Sequence, residues 1–180
     1  LALIACAPAR AREPQYDEVN VVPAPGPVTV DGSLAEWNLN GQIEAFYDEA
    51  LLPRYRFRIA FMYDAERFYI GAHFADASPL KNLTDPTIAP HRGWSGDCLQ
   101  VRLHSDPSAP YPVRAGTGDP DPRICHLTMW HFTPRKQPAL LVQYGMDYHG
   151  DKVLTGSESG IRFAPDPDGR IARTRPNFVV

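Results

Sequence analysis

Arg54-Tyr55-Arg56-Phe57-Arg58-Ile59-Ala60-Phe61-Met62-Tyr63, then Asp64-Ala65-Glu66-Arg67, then Phe68-Tyr69-Ile70-Gly71-Ala72-His73-Phe74: this stretch decides the fold. In its first part Tyr55, Phe57, Ile59 and Phe61 recur at every second position, with Arg54, Arg56, Arg58 and Ala60 between them. A period of two is that of an extended strand with one face turned to a core. Asp64-Ala65-Glu66 is a polar turn, and 68–74 is a second apolar run long enough to pair with the first. The pattern predicts a β-hairpin over 54–74.

Working outward, the same signals repeat on both sides. Val28-Thr29-Val30 predicts a short strand that ends at the Asp31-Gly32 turn. Ser33 then caps a helical turn with Glu36 as its capping-box partner, and Trp37 points inward. On the other side, 76–92 is rich in Pro, Asp, Asn and Thr and predicts a long irregular loop, closed by Gly93-Trp94-Ser95-Gly96-Asp97. Long loops carried on a rigid scaffold are where binding sites concentrate. Cys98 to His104 alternates, with Leu99, Val101 and Leu103 on one face. After a Pro/Gly/Asp loop over 105–122 come strand-like runs at 124–132 and 139–144, a polar turn over 150–160, and another strand starting at 160–164. No internal repeat or heptad interrupts this order. Short alternating runs between turn signals predict an all-β, antiparallel β-sandwich.

Composition agrees. The chain has 180 residues, 43% of them hydrophobic and 11% aromatic, enough to bury a core in one domain. Its 19 prolines fall between the apolar runs, which suits short strands rather than long helices. The net charge of −3 is spread over both signs without a basic stripe, which argues against nucleic acid as a partner. No apolar stretch approaches the roughly 20 residues of a membrane helix.

Leu1-Ala2-Leu3-Ile4-Ala5-Cys6 reads as the tail of a signal-peptide apolar region, and 1–11 as its remnant. Leu3-Ile4-Ala5-Cys6 resembles a bacterial lipobox, with Cys6 as the lipidated residue; an ordinary secretory signal cut near 7–11 is the alternative. Both imply export: periplasmic, extracellular or lipid-anchored at a bacterial cell envelope. Residues 12–27 are then a tether leading into the first strand, and a membrane would be reached only through the acyl chain. Of the remaining cysteines, Cys98 and Cys125 lie in separate strand-like runs. An oxidising compartment would permit a disulfide between them, and spacing leaves pairing and free thiols both open.

The order of features is also specific. Val30-Asp31-Gly32-Ser33-Leu34-Ala35-Glu36-Trp37 resembles the opening "DG-x-L-x-E-W" of family 9 carbohydrate-binding modules and their DOMON-like relatives. Phe61-Met62-Tyr63-Asp64-Ala65-Glu66-Arg67-Phe68-Tyr69-Ile70 resembles the central hairpin of that family, and Asp76 stands where the family carries an Asp after it. Trp94-Ser95-Gly96-Asp97-Cys98-Leu99-Gln100-Val101 is similar to the "W-x-x-D-S-V-E-I" strand. The resemblance covers about residues 28–104, and the segment 124–149, with Tyr144-Gly145-Met146-Asp147-Tyr148, is less distinctive. It implies a DOMON-like, immunoglobulin-like sandwich over 28–171 that binds an oligo- or polysaccharide without catalysis, often with structural calcium and often joined to a larger exported enzyme of polysaccharide breakdown. Trp94 takes the position that can stack on a sugar ring, since a pyranose offers C–H groups to a flat aromatic face. Arg92, Asp97 and Gln100 are its nearest polar neighbours in sequence. Asp76, Asp97 and, in the same loop, Asp85 are the candidate calcium ligands.

Departures from the family are visible. Cys98 stands where the family has Ser, and Gln100 where it has an acidic residue. The closing "G-Y-x-x-E-x-x-I-P-W" run is missing: Asp166-Pro167-Asp168-Gly169-Arg170-Ile171 leads toward it, but 172–180 is an atypical tail, read as a truncation or frame change that leaves the sandwich incomplete at its C-terminus.

Two other functions are compatible with such a scaffold. DOMON-like relatives include haem b electron-transfer domains, and Met62, Met129, His73, His126 and His131 offer the atoms for axial ligation; no Cys-x-x-Cys-His is present for covalent haem. A spacer or interaction domain without a ligand is the other. Enzymatic motifs are missing: there is no Gly-x-Ser-x-Gly, phosphate loop or His-Glu-x-x-His. Asp166 and Asp168 sit in a Pro/Gly turn where nothing would raise a carboxyl pKa.

Overall fold

In a computed structural model, the described residues are 16, 18–46, 48–76, 80–104, 124–143, 152–163 and 177–179. Strands in two sheets account for most of the regular structure, helical elements being 3-10 turns of three to six residues, so the fold is all-β. The chain divides into two compact units, Leu1–Pro79 with Ala164–Val180, and Leu80–Phe163.

The first unit is built on the expected hairpin. Strand β3 (Arg56–Tyr63) pairs antiparallel with β4 (Phe68–Ala75), from Arg56 opposite Ala75 to Tyr63 opposite Phe68. The turn is held by one side chain: Asp64 Oδ1 accepts from the main-chain N–H of Glu66 and Arg67, both at 2.8 Å, and Tyr69 donates its hydroxyl proton to Oδ2 at 2.6 Å. The Tyr69 bond is the main reason the Asp64 carboxyl titrates below its ordinary range. β1 (Val21–Pro23), from the stretch read as a tether, runs parallel to β3. β2 (Ile43–Ala45) pairs antiparallel with β3, and β10 (Asn177–Val179), within the stretch read as an atypical tail, pairs antiparallel with β4.

The face assignment of β3 needs correction. Ala60 and Met62, on the arginine face, are buried with Trp37 and Tyr69, while Tyr55 is exposed. Leu34 and Trp37 cover that face closely: a Cβ on Gly71 would lie 2.7 Å from the indole and 2.8 Å from Leu34 Cδ2. Ile59, Ile70 and Ala72, on the opposite face, are buried too, so the second half of the hairpin is apolar on both sides. At the polar end Arg58 Nε reaches Glu44 Oε1 at 3.2 Å. Val28 and Val30 are not in a strand; both pack, half-buried, on the Trp37 cluster. Nor does the capping box form. Ser33 Oγ accepts from Ala35 N, but Glu36 Oε1 accepts from Thr29 N.

The second unit carries an antiparallel sheet in the order β5 (Cys98–His104), β6 (Ile124–Phe132), β7 (Gln137–Gln143), β8 (Lys152–Thr155). One face gathers Trp130, Phe132, Ala139 and Leu141 into a buried cluster, with Cys98 and Val153 packed against it. β8 occupies part of the stretch expected to be a polar turn, pairing with β7 from Ala139 opposite Thr155 to Val142 opposite Lys152. β9 (Arg162–Phe163) follows a 3-10 turn at Gly156–Ser159. Among the described residues no helix is long and apolar enough to cross a membrane.

Candidate functional site

Residues 80–97 connect to β5 and hold their irregular course through one buried side chain. Asn82 is 1% exposed. Its Nδ2 donates to Gly93 O at 2.7 Å and to Asp97 O at 3.2 Å, and its Oδ1 accepts from Thr84 N at 2.9 Å. Its own main chain pairs with Thr133, N–H to Oγ1 at 2.9 Å and C=O from Thr133 N at 3.0 Å. One amide thus ties together the start, middle and end of the loop and fixes it to the end of β6. An amide suits this position because it carries two donors and an acceptor without charge, so burial costs little once all are used.

Tight packing supports the same arrangement. The 3-10 turn Pro90–Ser95 lies on Trp130, so closely that a Cβ on Gly93 would be 2.8 Å from two ring carbons. Trp130 Nε1 donates to Thr84 O at 3.0 Å. Thr84 Oγ1 donates to Arg92 O at 3.0 Å and meets Ser95 Oγ at 3.2 Å. Lys81 and Asp97 clamp the ends: Lys81 N donates to Asp97 Oδ2 at 2.5 Å and Asp97 N to Lys81 O at 3.1 Å. Asp85 Oδ1 accepts from both the N–H and the hydroxyl of Thr87, at 2.8 and 2.7 Å, and Oδ2 faces Arg135 at 3.7 Å. The Thr87 bonds lower the Asp85 pKa most, so the group stays ionised.

On this frame lies a hollow of about 510 Å³, walled by Lys81, Leu83, Thr84 and Asp85, by Ile88 and Ala89, and by Arg92, Ser95 and Gly96. That volume is within the range of small-molecule sites. Leu83 and Ile88 are 62% and 81% exposed, so apolar surface faces solvent here. Trp94, between the wall residues Arg92 and Ser95, is 61% exposed.

The sequence-derived residues separate in the structure. Arg92 lines the hollow, and Trp94 stands exposed in the same turn. Asp97 is half-buried and serves the loop clamp. Gln100 is not with them. It lies on β5, where Oε1 meets His126 Nε2 at 3.2 Å and Nε2 donates to Cys98 Sγ at 3.9 Å. Asn82, Lys81 and the Thr84–Ser95 hydroxyl pair escaped the sequence reading, whose only signal for them was the polar composition of 76–92.

Comparison with protein-family models, with curated proteins and with solved structures finds no match. The site is therefore judged on its own chemistry.

Of the expected calcium ligands, Asp85 and Asp97 each give a carboxylate oxygen to a main-chain N–H, and among the described residues no three His, Cys, Asp or Glu side chains are grouped to hold an ion. Of the two outcomes left open for Cys98 and Cys125, the structure has free thiols. Cys98 pairs with Trp130 and Cys125 with Leu103. Five residues separate these rungs, about 16 Å along a strand, and odd spacing puts the side chains on opposite faces. Burial raises both thiol pKa values.

His126 and His131 are likewise five residues apart on β6, so they point to opposite faces and cannot share one iron. His131 is 2% exposed, edge-on to Phe163 with ring centroids 5.0 Å apart. The Lys136 main chain approaches the ring, but among the described residues neither nitrogen meets a partner in hydrogen-bond geometry. Met62 and Met129 are wholly buried, and the Met62 sulfur accepts from Asn38 N at 3.3 Å. The possible leader and lipidation site Cys6, Asp166, Asp168 and the 144–149 segment lie outside the described residues.

Proposed function

We propose that this chain is a non-catalytic carbohydrate-binding module whose site is the hollow on the 80–97 loop together with Trp94, which stands outside the hollow's wall in the same turn and serves as the stacking platform. The supporting observation is the exposure of Trp94 on a turn locked by Asn82 and by Gly93 against Trp130. A large apolar ring held in water on a rigid support is a poor arrangement for stability and a good one for stacking on sugar C–H groups. Thr84 and Ser95 offer hydroxyl chemistry beside it, and Leu83 and Ile88 offer further apolar surface. The resemblance of the 28–104 motifs to family 9 modules supports the same reading, and with it an exported or envelope-anchored setting.

The experiment is calorimetry of the full chain against a panel of soluble oligosaccharides, with Trp94→Ala alongside. Loss of a stacking contact should weaken binding at least tenfold. The melting temperature should move by no more than a few degrees, because Trp94 is mostly in water already. Unfolding of the variant would assign Trp94 to the core instead, and a folded protein that binds no saccharide would reject the reading.

A further inference from the structure

Among the described residues, the charges around the hollow do not cancel. Its carboxylate, Asp85, is answered by Arg135 at 3.7 Å and by both donors of Thr87. Its two cations are not answered: among the described residues no carboxylate lies within ion-pair distance of the Lys81 ammonium or the Arg92 guanidinium. Both side chains are exposed at the rim of a concave wall. Two unmatched cations beside a concavity set up a field that favours an anionic ligand.

Hydroxyl geometry narrows the class. Thr84 Oγ1 commits its proton to Arg92 O. The Ser95 hydroxyl can then donate to Thr84 Oγ1 at 3.2 Å, which leaves the Ser95 lone pairs as acceptors. An acceptor in the wall calls for a ligand with O–H donors, which a simple carboxylate or a fully ionised phosphate lacks. Leu83, Ile88 and Ala89 supply the apolar part of the wall and call for C–H surface. Anionic group, hydroxyl donors and a C–H face occur together in one ligand class.

We infer that the hollow selects acidic saccharides, sugars bearing a carboxylate, with Arg92 and Lys81 receiving the carboxylate, Ser95 accepting from a ring hydroxyl and the apolar wall facing the sugar ring. This rests on the carbohydrate reading above and adds its charge selectivity. Exposed ion pairs contribute modestly and are screened by salt, so two cations together give a preference of about tenfold for the acid over its neutral counterpart at low salt.

The test uses the full chain and two probes of equal length: a galacturonic-acid trimer and its methyl ester, titrated at about 50 and 300 mM salt, a range over which screening changes strongly. Poly-glutamate is the non-sugar polyanion. The expected result is a preference of about tenfold for the acid at low salt that shrinks at high salt, falls toward parity in the Lys81→Gln, Arg92→Gln double variant, and does not extend to poly-glutamate. Equal affinity for acid and ester overturns the charge selectivity while the carbohydrate reading stands. Binding of poly-glutamate as tight as that of the trimer, unaffected by Trp94→Ala, overturns the saccharide reading and with it this inference. No binding of the acid or its ester by folded protein overturns this inference, and the carbohydrate reading falls with it only if the oligosaccharide panel also fails. A double variant that keeps the full acid preference overturns the assignment to these two side chains.

Discussion

Asn82→Ala is the perturbation that most directly interrogates the site. The substitution deletes two donors and one acceptor at a position 1% exposed, stranding Gly93 O, Asp97 O and Thr84 N. The Gly93 bond is buried, and leaving its carbonyl unpaired costs about 1–3 kcal/mol. The other two are partly buried, where water can substitute, and are each worth about 0.5–1.5 kcal/mol. The expected loss is about 3 kcal/mol, a large share of the roughly 5–15 kcal/mol that a domain has in total. Urea unfolding measures it, and hydrogen exchange at the amides of Asn82, Thr84, Asp97 and Thr133 tells where it falls. Opening of the loop alone would show as fast exchange at those amides with a smaller global loss.

Asn82→Asp sharpens the test. It keeps the size and an acceptor but turns carboxylate oxygen toward two carbonyls, so near neutral pH it should be at least as damaging as Ala. Protonation restores one donor, so the Asp variant should gain on the Ala variant as pH falls. A loss below about 1 kcal/mol for Asn82→Ala, with exchange at the four amides unchanged, would refute the claim that this amide holds the loop.

Other perturbations separate the supports of the two units. Gly93→Ala drives a methyl group to 2.8 Å from the Trp130 ring and should destabilise by about 1–3 kcal/mol, an overpacking cost read by thermal melting. His131 should make stability fall as pH drops below about 6.5: burial lowers its folded pKa, so above that pH the ring is neutral in both states, and below it the unfolded chain takes up the proton first. His126, lowered chiefly by burial and further by Arg102, acts in the same direction, so His131→Phe should flatten the stability profile in urea only in part. Trp130→Phe should cost more than Trp37→Phe, because the Trp130 N–H pairs with Thr84 O whereas the buried Trp37 N–H has no acceptor among the described residues; equal costs in paired melts would contradict this.

The hairpin, the turn at Asp64, β5 and β6 were legible because each rests on local periodicity. Trp37 was legible as inward-facing from the turn that Ser33 opens. What escaped depended on distant neighbours. Ala60 was placed with the arginines because period two permits only one buried face; Trp37 and Leu34, brought in from more than twenty residues earlier, cover the second. β8 escaped because Lys152-Val153-Leu154-Thr155 has two apolar residues, too few to signal a strand until β7 supplies the partner. The site divided in the same way. Arg92 and Trp94 could be found by nearness in sequence, but Gln100 could not be excluded by it: two steps along β5 move a side chain away from a loop end. Asn82 looks like any turn residue, and its role comes from Gly93, Asp97 and Thr133, the last of them 51 positions away.

Binding at an exposed rim depends on what lies beneath it. A loop of this length left to itself would lose conformational entropy on meeting a ligand, and that loss would be subtracted from every contact made. Here the ordering is done beforehand. Asn82, Thr84 and Trp130 fix the main chain at Gly93 and Arg92, so the residues between and after them present their side chains from a set backbone. The residues that touch a sugar and the residues that decide its affinity are then partly different sets. Asn82→Ala, although its side chain is buried and faces no ligand, should weaken saccharide binding along with stability. If the loop gave no preorganisation, binding to the folded fraction of Asn82→Ala would match the parent chain, and only exposed variants such as Trp94→Ala would lower it.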